Sequence, residues 1–308
     1  MENSLLVDIG GTNFRYAIAD NKSKLISKIE KKKLKNSETI DSLIDQILKI
    51  TPVEFNNIVL SVAGPKLYDS IEMTNRNLKI DREDIKAKYK LSQCYILNDW
   101  EAVAYSHLNV KEENLFNVIN KNKQPYNNCI LCIGPGTGLG VSLLFDHKVA
   151  HATEIGNINF GIKDLVDDDF YSFSKFRKIE DVLSGSAISK FYMYLTKKNL
   201  TSEEVIRLAE EKEIEALEVV SDFLKKLAYF LAQLSLIYLP GKGIYLSGSL
   251  VRSLRYFLET TDFKKNYFLS NKNSPQYKIL ENTVINIVDQ EHLALYGCLN
   301  YINLVQKA

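Results

Sequence analysis

A glycine pair near the amino end is the feature that most constrains how this chain can fold. Residues 5–9 and 14–19 are apolar or alternating runs of the kind that form strands. The tight turn between them consists of Gly10, Gly11, Thr12 and Asn13. Adjacent glycines let backbone N–H groups approach an anion closely, and the hydroxyl and amide side chains add donors. The segment therefore predicts either a phosphate-binding turn or an ordinary β-hairpin, since a glycine pair is also a routine turn signal.

A second glycine cluster repeats this strand–turn–strand pattern. Residues 129–133 and 141–145 are predicted strands, and the segment between them alternates glycines around Thr137, including Gly136 and Gly138. The spacing fits neither the dinucleotide-binding pattern nor the P-loop. Two such hairpins, far apart in the chain, predict two lobes that each hold one side of a polyphosphate.

Length and charge limit the classes of protein to consider. A chain of 308 residues is longer than one core usually supports, which predicts two lobes. Lys and Arg number 39 against 38 acidic residues, so the charge favours neither nucleic acid nor an anionic membrane, and small-molecule partners are expected. The amino end lacks a signal-peptide pattern, and the most apolar stretch, 227–239, is too short to span a bilayer. A cytoplasmic protein is therefore expected.

The apolar periodicity alternates between strands and helices along the chain. Cys129 and Cys132 form a C-x-x-C pattern, but within a predicted strand, where side chains three apart point to opposite faces, so neither a metal nor a redox role is expected. Further strands are predicted near 57–62, 68–73, 94–98, 243–247 and 283–288. Helices are predicted at 39–49, 183–195, 203–211, 214–239 and 291–305.

Taken in order, the motifs resemble those of the bacterial glucokinases, within the hexokinase, actin and chaperone ATPase superfamily. The segment 8–15, Asp-Ile-Gly-Gly-Thr-Asn-Phe-Arg, resembles the first phosphate motif, and 134–140 resembles the second. The pair Asn98-Asp99 resembles the sugar-side motif. The remaining motifs are matched by Glu154 with Gly156, by 180–185, by Ser247-Gly248-Ser249 at the adenosine position, and by Gly297 in the closing segment. The matches run in family order over almost the whole chain, so together they are specific.

This resemblance implies an α/β fold with two lobes, the actin-like ATPase fold related to ribonuclease H, with a cleft between the lobes. The small lobe is expected to comprise 1–107, joined by the C-terminal helix 291–308, and the large lobe 108–290. The cysteine-rich zinc cluster of the related ROK sugar kinases is absent from the sequence, which indicates the zinc-free branch. A homodimer is expected only by analogy with relatives.

The function implied by the resemblance is transfer of the ATP γ-phosphoryl group to the 6-hydroxyl of glucose, giving glucose 6-phosphate. Mg²⁺ is expected with ATP, near Asp8, although no metal ligand is assigned. Asp99 lies where a carboxylate could accept the sugar proton as the catalytic base, whereas the alternative for an Asn-Asp pair at a strand end is a helix N-cap. The residues expected to bind ATP are Asp8, Gly10, Gly11, Thr12, Asn13, Gly136, Thr137, Gly138, Ser247 and Gly248. Those expected to bind the sugar are Thr74, Asn75, Asn98, Asp99, Glu154, Asn157 and Glu180, with plain surface charge as the alternative for the two glutamates.

The chain departs from the family pattern in the sugar-binding segments. Where family members have Glu-Gly-Gly-His, this chain has Glu154-Ile155-Gly156-Asn157, so an imidazole is replaced by a shorter carboxamide. This departure leaves open a kinase of another hexose or of an amino sugar. A sugar-sensing regulator without catalysis is a further alternative, opposed by the retained Asp99. An actin-like filament or chaperone ATPase would not need the sugar-side residues.

Overall fold

The structure is a computed structural model that describes residues 3–20, 25–35, 39–51, 53–73, 79–159, 165, 175–260, 262–268 and 274–306. By their contacts the residues group into two compact units. Unit 1 comprises 1–110, 147–152 and 292–308, and unit 2 comprises 111–146 and 153–291. Each unit contains its own cluster of buried apolar side chains.

Strands and helices alternate along both units. The strands are β1 (Asn3–Ile9), β2 (Asn13–Asp20), β3 (Leu25–Ile26), β4 (Glu30–Lys33), β5 (Asn57–Val62), β6 (Lys66–Leu67), β7 (Ser70–Glu72), β8 (Lys79–Asp81), β9 (Gln93–Asn98), β10 (Leu115–Ile119), β11 (Cys129–Pro135), β12 (Leu139–Phe145), β13 (Val149–Thr153), β14 (Gly243–Leu246) and β15 (Ile285–Val288). The helices are α1 (Ile40–Ile50), α2 (Arg82–Lys88), α3 (Asp99–Ser106), α4 (Ile179–Val182), α5 (Gly185–Thr196), α6 (Ser202–Glu210), α7 (Ile214–Tyr238), α8 (Ser249–Ser253), α9 (Arg255–Thr260), α10 (Phe263–Tyr267), α11 (Tyr277–Asn282) and α12 (Leu293–Val305).

The main sheet of unit 1 has the strand order β3-β2-β1-β5-β9, and β4 also pairs with β2. β1 pairs antiparallel with β2 across the first glycine turn, and β1, β5 and β9 run parallel. β5 is buried along its whole length, as expected for a parallel strand covered on both faces. Ile9 is opposite Val62, and Val62 is opposite Asn98. The carboxyl ends of these three strands therefore lie at one edge of the sheet.

Two helices of unit 1 cross at very close range. α12 packs against α3 and against β1 and β5. At the crossing, a Cβ added to Gly297 would lie 1.7 Å from the carbonyl oxygen of Ala102, so only glycine allows this approach. One turn further on, Asn300 Nδ2 donates to the backbone oxygens of Tyr105 (3.0 Å) and Ser106 (3.2 Å). These two contacts fix the terminal helix on α3.

The strand predicted at 68–73 is wrong at its start. β6 and β7 form a hairpin in which Leu67 is opposite Ser70, so Tyr68 and the next residue make a two-residue turn. Tyr68 has a φ of 56°, the left-handed conformation that two-residue hairpins require. The pairing of the flanking strands sets the turn.

The sheet of unit 2 contains the strand order β10-β15-β14-β11-β12. β11, β14 and β15 run parallel, and β11 pairs antiparallel with β12. Gly134 is opposite Gly140 within this hairpin, so both strands extend further than predicted and the turn contains only residues 136–138. Glycine weakens a strand, but its N–H and C=O groups still take part in the hydrogen-bond ladder.

Helices α5, α6 and α7 pack on one another in unit 2. α7 buries apolar residues along its whole length, in the region predicted as 214–239. The helix predicted to begin at Leu183 begins instead at Gly185, because Leu183 ends the short helix α4 and Ser184 precedes α5 in an extended conformation. Across the residues that the structure describes, no helix is both long and apolar enough to cross a bilayer.

All four cysteines are buried and reduced. Cys129 and Cys132 lie in β11. Burial raises the pKa of Cys94 to about 12 and that of Cys129 to about 11, so these thiols stay protonated at neutral pH. Within the described ranges, no group of three or more His, Cys, Asp or Glu side chains has a metal-binding arrangement.

Candidate active site

The first glycine turn presents its backbone at the surface of unit 1. Gly10 N donates to Asn13 O at 3.0 Å, which closes the turn. Gly11 and Thr12 are exposed, and a Cβ added to Gly11 would meet no atom within 4 Å. Leu34 N donates to Thr12 O at 2.9 Å and ties the turn to the chain after β4. The two hydrogen bonds therefore fix the turn on unit 1, while its exposed residues, Gly11 and Thr12, are accessible to an anion.

Asp8, two residues before the turn, is held by two side chains. Ser61 Oγ donates to Asp8 Oδ1 at 3.2 Å, and Arg15 Nη1 donates to Asp8 Oδ2 at 3.3 Å. Burial raises the pKa of Asp8, while Arg15, Ser61 and the nearby His292 act in the opposite direction. Sequence reasoning missed Ser61, although a serine between apolar residues of β5 is a visible signal.

The corner between β9 and α3 separates the roles of Asn98 and Asp99. Asn98 Oδ1 accepts from Trp100 N (2.8 Å) and Glu101 N (3.3 Å), and its Nδ2 donates to Gly64 O at 2.8 Å. Asn98 is therefore the N-cap of α3, and Glu101 completes a capping box by accepting from Asn98 N at 3.0 Å. Asp99 is the first residue of the helix and is partly exposed, with Oδ1 accepting from Trp100 N at 3.1 Å.

Lys66 supports the same corner from β6. Its Nζ lies 3.1 Å from Glu101 Oε2, with the two side chains 28% and 16% exposed. The sequence left open whether this Asn-Asp pair caps a helix. Asn98 is the residue that caps α3, and Asp99 is the next residue along the chain. Because Gly10 and Asp99 follow strands two places apart at one sheet edge, they are separated by about 10 Å, from a strand spacing of about 4.8 Å.

The second glycine turn, in unit 2, is braced by Glu180. Gly136 N donates to Gly138 O at 2.8 Å, and Gly185 N donates to Gly136 O at 2.8 Å. Leu139 N donates to Glu180 Oε2 at 3.1 Å. A Cβ at Gly138 would lie 2.5 Å from that oxygen, whereas one at Gly136 would meet no atom within 4 Å. Thr137 is exposed at the tip of the turn.

The adenosine-like motif lies at the same edge of that sheet. β14 runs parallel to β11, with Leu246 opposite Ile133, so Ser247 follows its strand beside the second glycine turn. Ser247 N donates to Ile133 O at 2.9 Å, and Gly248 has a φ of 113°, which favours glycine. Ser247 Oγ is buried and has no hydrogen-bond partner among the described residues. A buried hydroxyl in this state can bond to a ligand.

Four side chains form what we call the acid–amide cluster: Glu154, Asn157, Lys178 and Glu180. Asn157 Nδ2 donates to Glu154 Oε2 at 2.7 Å, and Lys178 Nζ donates to Asn157 Oδ1 at 3.0 Å. Lys178 also forms an ion pair with Glu180 Oε1. The hydrogen bond to Glu180 raises the pKa of Lys178, which keeps the ammonium group charged. Sequence reasoning missed Lys178, which has no motif of its own.

The structure groups the expected site residues within each unit. In unit 1 it places the first glycine turn, Asp8 and the Asn98-Asp99 corner at one sheet edge. In unit 2 it places the second glycine turn beside Ser247 and links it through Glu180 to the acid–amide cluster. Thr74 and Asn75 lie outside the described residues.

The solved structures that match include several glucokinases. The structure of glucokinase from an Antarctic psychrotroph matches with a TM-score of 0.81 and 19% identity, over 100% of both chains. Glucokinase from Balamuthia mandrillaris in complex with glucose matches with a TM-score of 0.78 and 19% identity, over 97% of this chain and 93% of that one. A ROK family glucokinase from Streptomyces griseus, in complex with glucose and AMPPNP, matches with a TM-score of 0.67 and 14% identity, over 97% and 98%. The predicted α/β fold of the actin-like ATPases is confirmed.

The sequence comparisons define the family. The Glucokinase family model matches residues 5–304. A glucokinase from Colwellia psychrerythraea is 28% identical over 98% of this chain and 96% of its own length. Another, from Mesorhizobium japonicum, is 26% identical over 96% of this chain and 90% of its own length. The chain belongs to the Glucokinase family, as its motifs predicted.

Proposed function

We propose that this protein transfers the γ-phosphoryl group of ATP to the 6-hydroxyl of glucose, with Asp99 as the general base. The observation that carries the proposal is the corner at α3. Asn98 caps the helix, and the carboxylate of the next residue, Asp99, is partly exposed. Asp99 lies at the same sheet edge as the first glycine turn, which is of the phosphate-binding type. Ligands of α/β proteins commonly bind at such edges.

The chemistry requires one proton transfer and precise positioning. The 6-hydroxyl oxygen attacks the γ-phosphorus, ADP leaves, and the hydroxyl proton passes to the Asp99 carboxylate. The N-terminus of α3 stabilises negative charge at Asp99, and the hydrogen bond from Trp100 N orients the group. A base within about 3 Å of the hydroxyl is expected to contribute a factor of about 10² to 10⁴ in rate.

Both glycine turns are proposed to bind the phosphates of ATP. The space beside Gly11 and Gly136 supports this, because a Cβ at either position would meet no protein atom within 4 Å. Ser247 and Gly248 are proposed to contact the adenosine, for which the buried Ser247 hydroxyl is suited. Thr12, Asn13, Thr137 and Gly138 are assigned to the same nucleotide site by their places in the two turns.

Asp8 is proposed to lie near a Mg²⁺ ion bound with ATP, which would supply positive charge to offset the charge that develops on the phosphates. Asp8 fits a place near the ion because carboxylate oxygens are the ligands that Mg²⁺ prefers. Each of its oxygens already accepts one hydrogen bond, from Ser61 or Arg15, so contact through a water molecule suits it. Arg15 and Ser61 hold the carboxylate in place.

The acid–amide cluster is proposed to bind sugar hydroxyls. Glu154 and Glu180 supply acceptors, and Asn157 supplies both a donor and an acceptor. Asn98 contributes at most its remaining Nδ2 hydrogen, since its other amide groups are used by the helix cap and Gly64. Thr74 and Asn75 remain predicted sugar contacts. The carboxamide of Asn157 keeps a kinase of another hexose or an amino sugar as the second candidate.

We also propose that the predicted lobes, 1–107 with 291–308 and 108–290, correspond to units 1 and 2, although residues 108–110 and 147–152 group with unit 1 and residue 291 with unit 2. A cytoplasmic location follows from the proposed use of ATP. A homodimer is proposed by analogy alone, and light scattering of the purified protein tests it.

A coupled ADP-release assay tests the proposed reaction. Wild-type protein is assayed with Mg-ATP against glucose, fructose, mannose, glucosamine and N-acetylmannosamine, beside Asp99→Asn. The matched control is Asp84→Asn, an exposed carboxylate in the first turn of α2 in the same unit. We expect turnover with glucose, a fall in kcat of about 10² to 10⁴ for Asp99→Asn, and wild-type activity for the control.

Three outcomes would contradict parts of this proposal. An Asp99→Asn variant within about threefold of wild-type kcat would remove Asp99 as the base. Turnover with another sugar alone would establish the second candidate. ATP binding without turnover on any sugar would indicate the sugar-sensing regulator.

A further inference from the structure

Lys178 is the cation at the centre of the acid–amide cluster. It contacts Asn157 and Glu180, and Asn157 in turn contacts Glu154, so one ammonium group connects all three other members. Its backbone is also fixed, because Lys178 N donates to Asp181 Oδ2 at 3.2 Å at the start of α4. The side chain is 38% exposed and therefore lies at the surface of the cluster.

Lys178 and Glu154 together orient the amide of Asn157. An ammonium group can only donate, so the amide presents its oxygen to Lys178. The amide nitrogen then faces Glu154, where it donates at 2.7 Å. Without Lys178 the amide would be oriented by the Glu154 carboxylate alone, and its oxygen would lose the ammonium donor that holds it in place. Any sugar hydroxyl that bonds to Asn157 or Glu154 depends on this orientation.

Lys178 also acts on the second glycine turn through Glu180. Glu180 uses Oε1 for the ion pair with Lys178 and Oε2 for the hydrogen bond from Leu139 N. The same Oε2 fills the space beside Gly138 where a Cβ would otherwise lie. A displacement of Glu180 would therefore change the acid–amide cluster and the glycine turn together.

We propose that Lys178 is a positioning and specificity-determining residue for the sugar. It orients the Asn157 amide, holds Glu180 against the second glycine turn, and offsets the repulsion between two carboxylates that bind the same ligand. The inference rests on the proposed function, because it assigns the cluster to sugar hydroxyls. It assigns Lys178 no contact with the reacting atoms.

The test separates sugar binding from catalysis. Kinetics are measured for Lys178→Met, which keeps the length and removes the charge, and for Lys178→Arg, which keeps the charge. The matched control is Lys111→Met, since Lys111 pairs with Glu113 at the same i,i+2 spacing but both side chains are at least 70% exposed. We expect Lys178→Met to raise KM for glucose about tenfold with kcat within about threefold, as for loss of one charged hydrogen bond. Lys178→Arg should have a KM close to that of wild type, and Lys111→Met should match wild type.

A double-mutant cycle with Asn157→Ala tests the mechanism of this effect. If Lys178 acts by orienting the amide, the increases in KM caused by the two single substitutions will not multiply in the double variant. Multiplicative effects would overturn the role of Lys178 in orienting the Asn157 amide, and an unchanged KM in Lys178→Met would overturn the positioning role as a whole. If Lys178→Met does not fold, Lys178→Gln takes its place in the cycle.

Glucose binding measured by calorimetry distinguishes this inference from the proposed reaction. A wild-type protein that binds glucose without phosphorylating it would refute the proposed function. In that protein a tenfold weaker binding by Lys178→Met would still support the role of Lys178, and equal binding would refute it. If another sugar in the panel is the substrate, the same measurements are made with that sugar.

Discussion

We expect Gly297→Ala to destabilise unit 1 by about 2 kcal/mol, against the usual preference of helices for alanine. Alanine is favoured over glycine in a helix interior by about 1 kcal/mol. The new methyl, however, would lie 1.7 Å from Ala102 O and 2.5 Å from its carbonyl carbon. Even a separation of 3.0 Å, the lower limit for real Cβ contacts, requires α12 to move 1.3 Å away from α3.

The size of the destabilisation follows from the contact of the new methyl with the backbone of Ala102. Overpacking a core costs about 1–3 kcal/mol, and the upper value applies where a backbone group of a packed helix must move rather than a flexible side chain. About 3 kcal/mol of strain and lost packing, less about 1 kcal/mol of helix preference, leaves about 2 kcal/mol. The Asn300 hydrogen bonds to Tyr105 and Ser106, one turn away, would lengthen as well.

Urea unfolding followed by tryptophan fluorescence measures this change where it occurs. Trp100 is the single tryptophan of the chain and lies in α3, so its signal reports on the helix that α12 contacts. The control is Gly11→Ala, also in unit 1, where the added methyl meets no atom within 4 Å and we expect a change within about 0.5 kcal/mol. A Gly297→Ala variant that is as stable as wild type, or about 1 kcal/mol more stable, would refute the reasoning.

Two further predictions concern unit 1. Burial lowers the pKa of His107 to about 3, below its unfolded value of about 6.5, so the unfolded state binds the extra proton and stability falls as the pH drops through this range. We expect a loss of about 2 kcal/mol between pH 7 and pH 5 in urea unfolding, and His107→Gln with the same pH dependence as wild type would contradict this. Thr39 caps α1 by accepting from Ser42 N at 3.2 Å. Thr39→Ala should therefore cost about 1 kcal/mol while Thr39→Ser stays near wild type, and equal losses for both would reject the cap.

The local elements of the fold could be predicted from the sequence because their signals are local. The apolar run before Gly10, the glycine turns and the periodicity of 214–239 each specify an element without knowledge of the rest of the chain. The predicted bounds of turns were wrong where the pairing of two strands sets them. The turn after β11 is shorter than predicted because Gly134 and Gly140 pair across the hairpin.

In the candidate site, only the residues that belong to a sequence motif could be predicted. Ser61 supports Asp8 from 53 positions away, and the contact exists because β1 and β5 pair in one register. Lys178 is one of 39 basic residues, and it contacts Asn157 from 21 positions away. Long-range contacts of this kind have no sequence pattern that a single chain reveals.

The discontinuity of unit 1 has a consequence for how the protein is made. Its sheet is synthesised within the first 110 residues, yet α12 belongs to residues 292–308. At translation rates of about 5–20 residues per second, α12 is synthesised roughly 10 to 40 seconds after α3 and the sheet that it covers. During that interval the nascent chain carries an apolar surface that the finished protein buries. A chaperone that binds such surfaces should therefore engage the chain until Gly297 can reach Ala102.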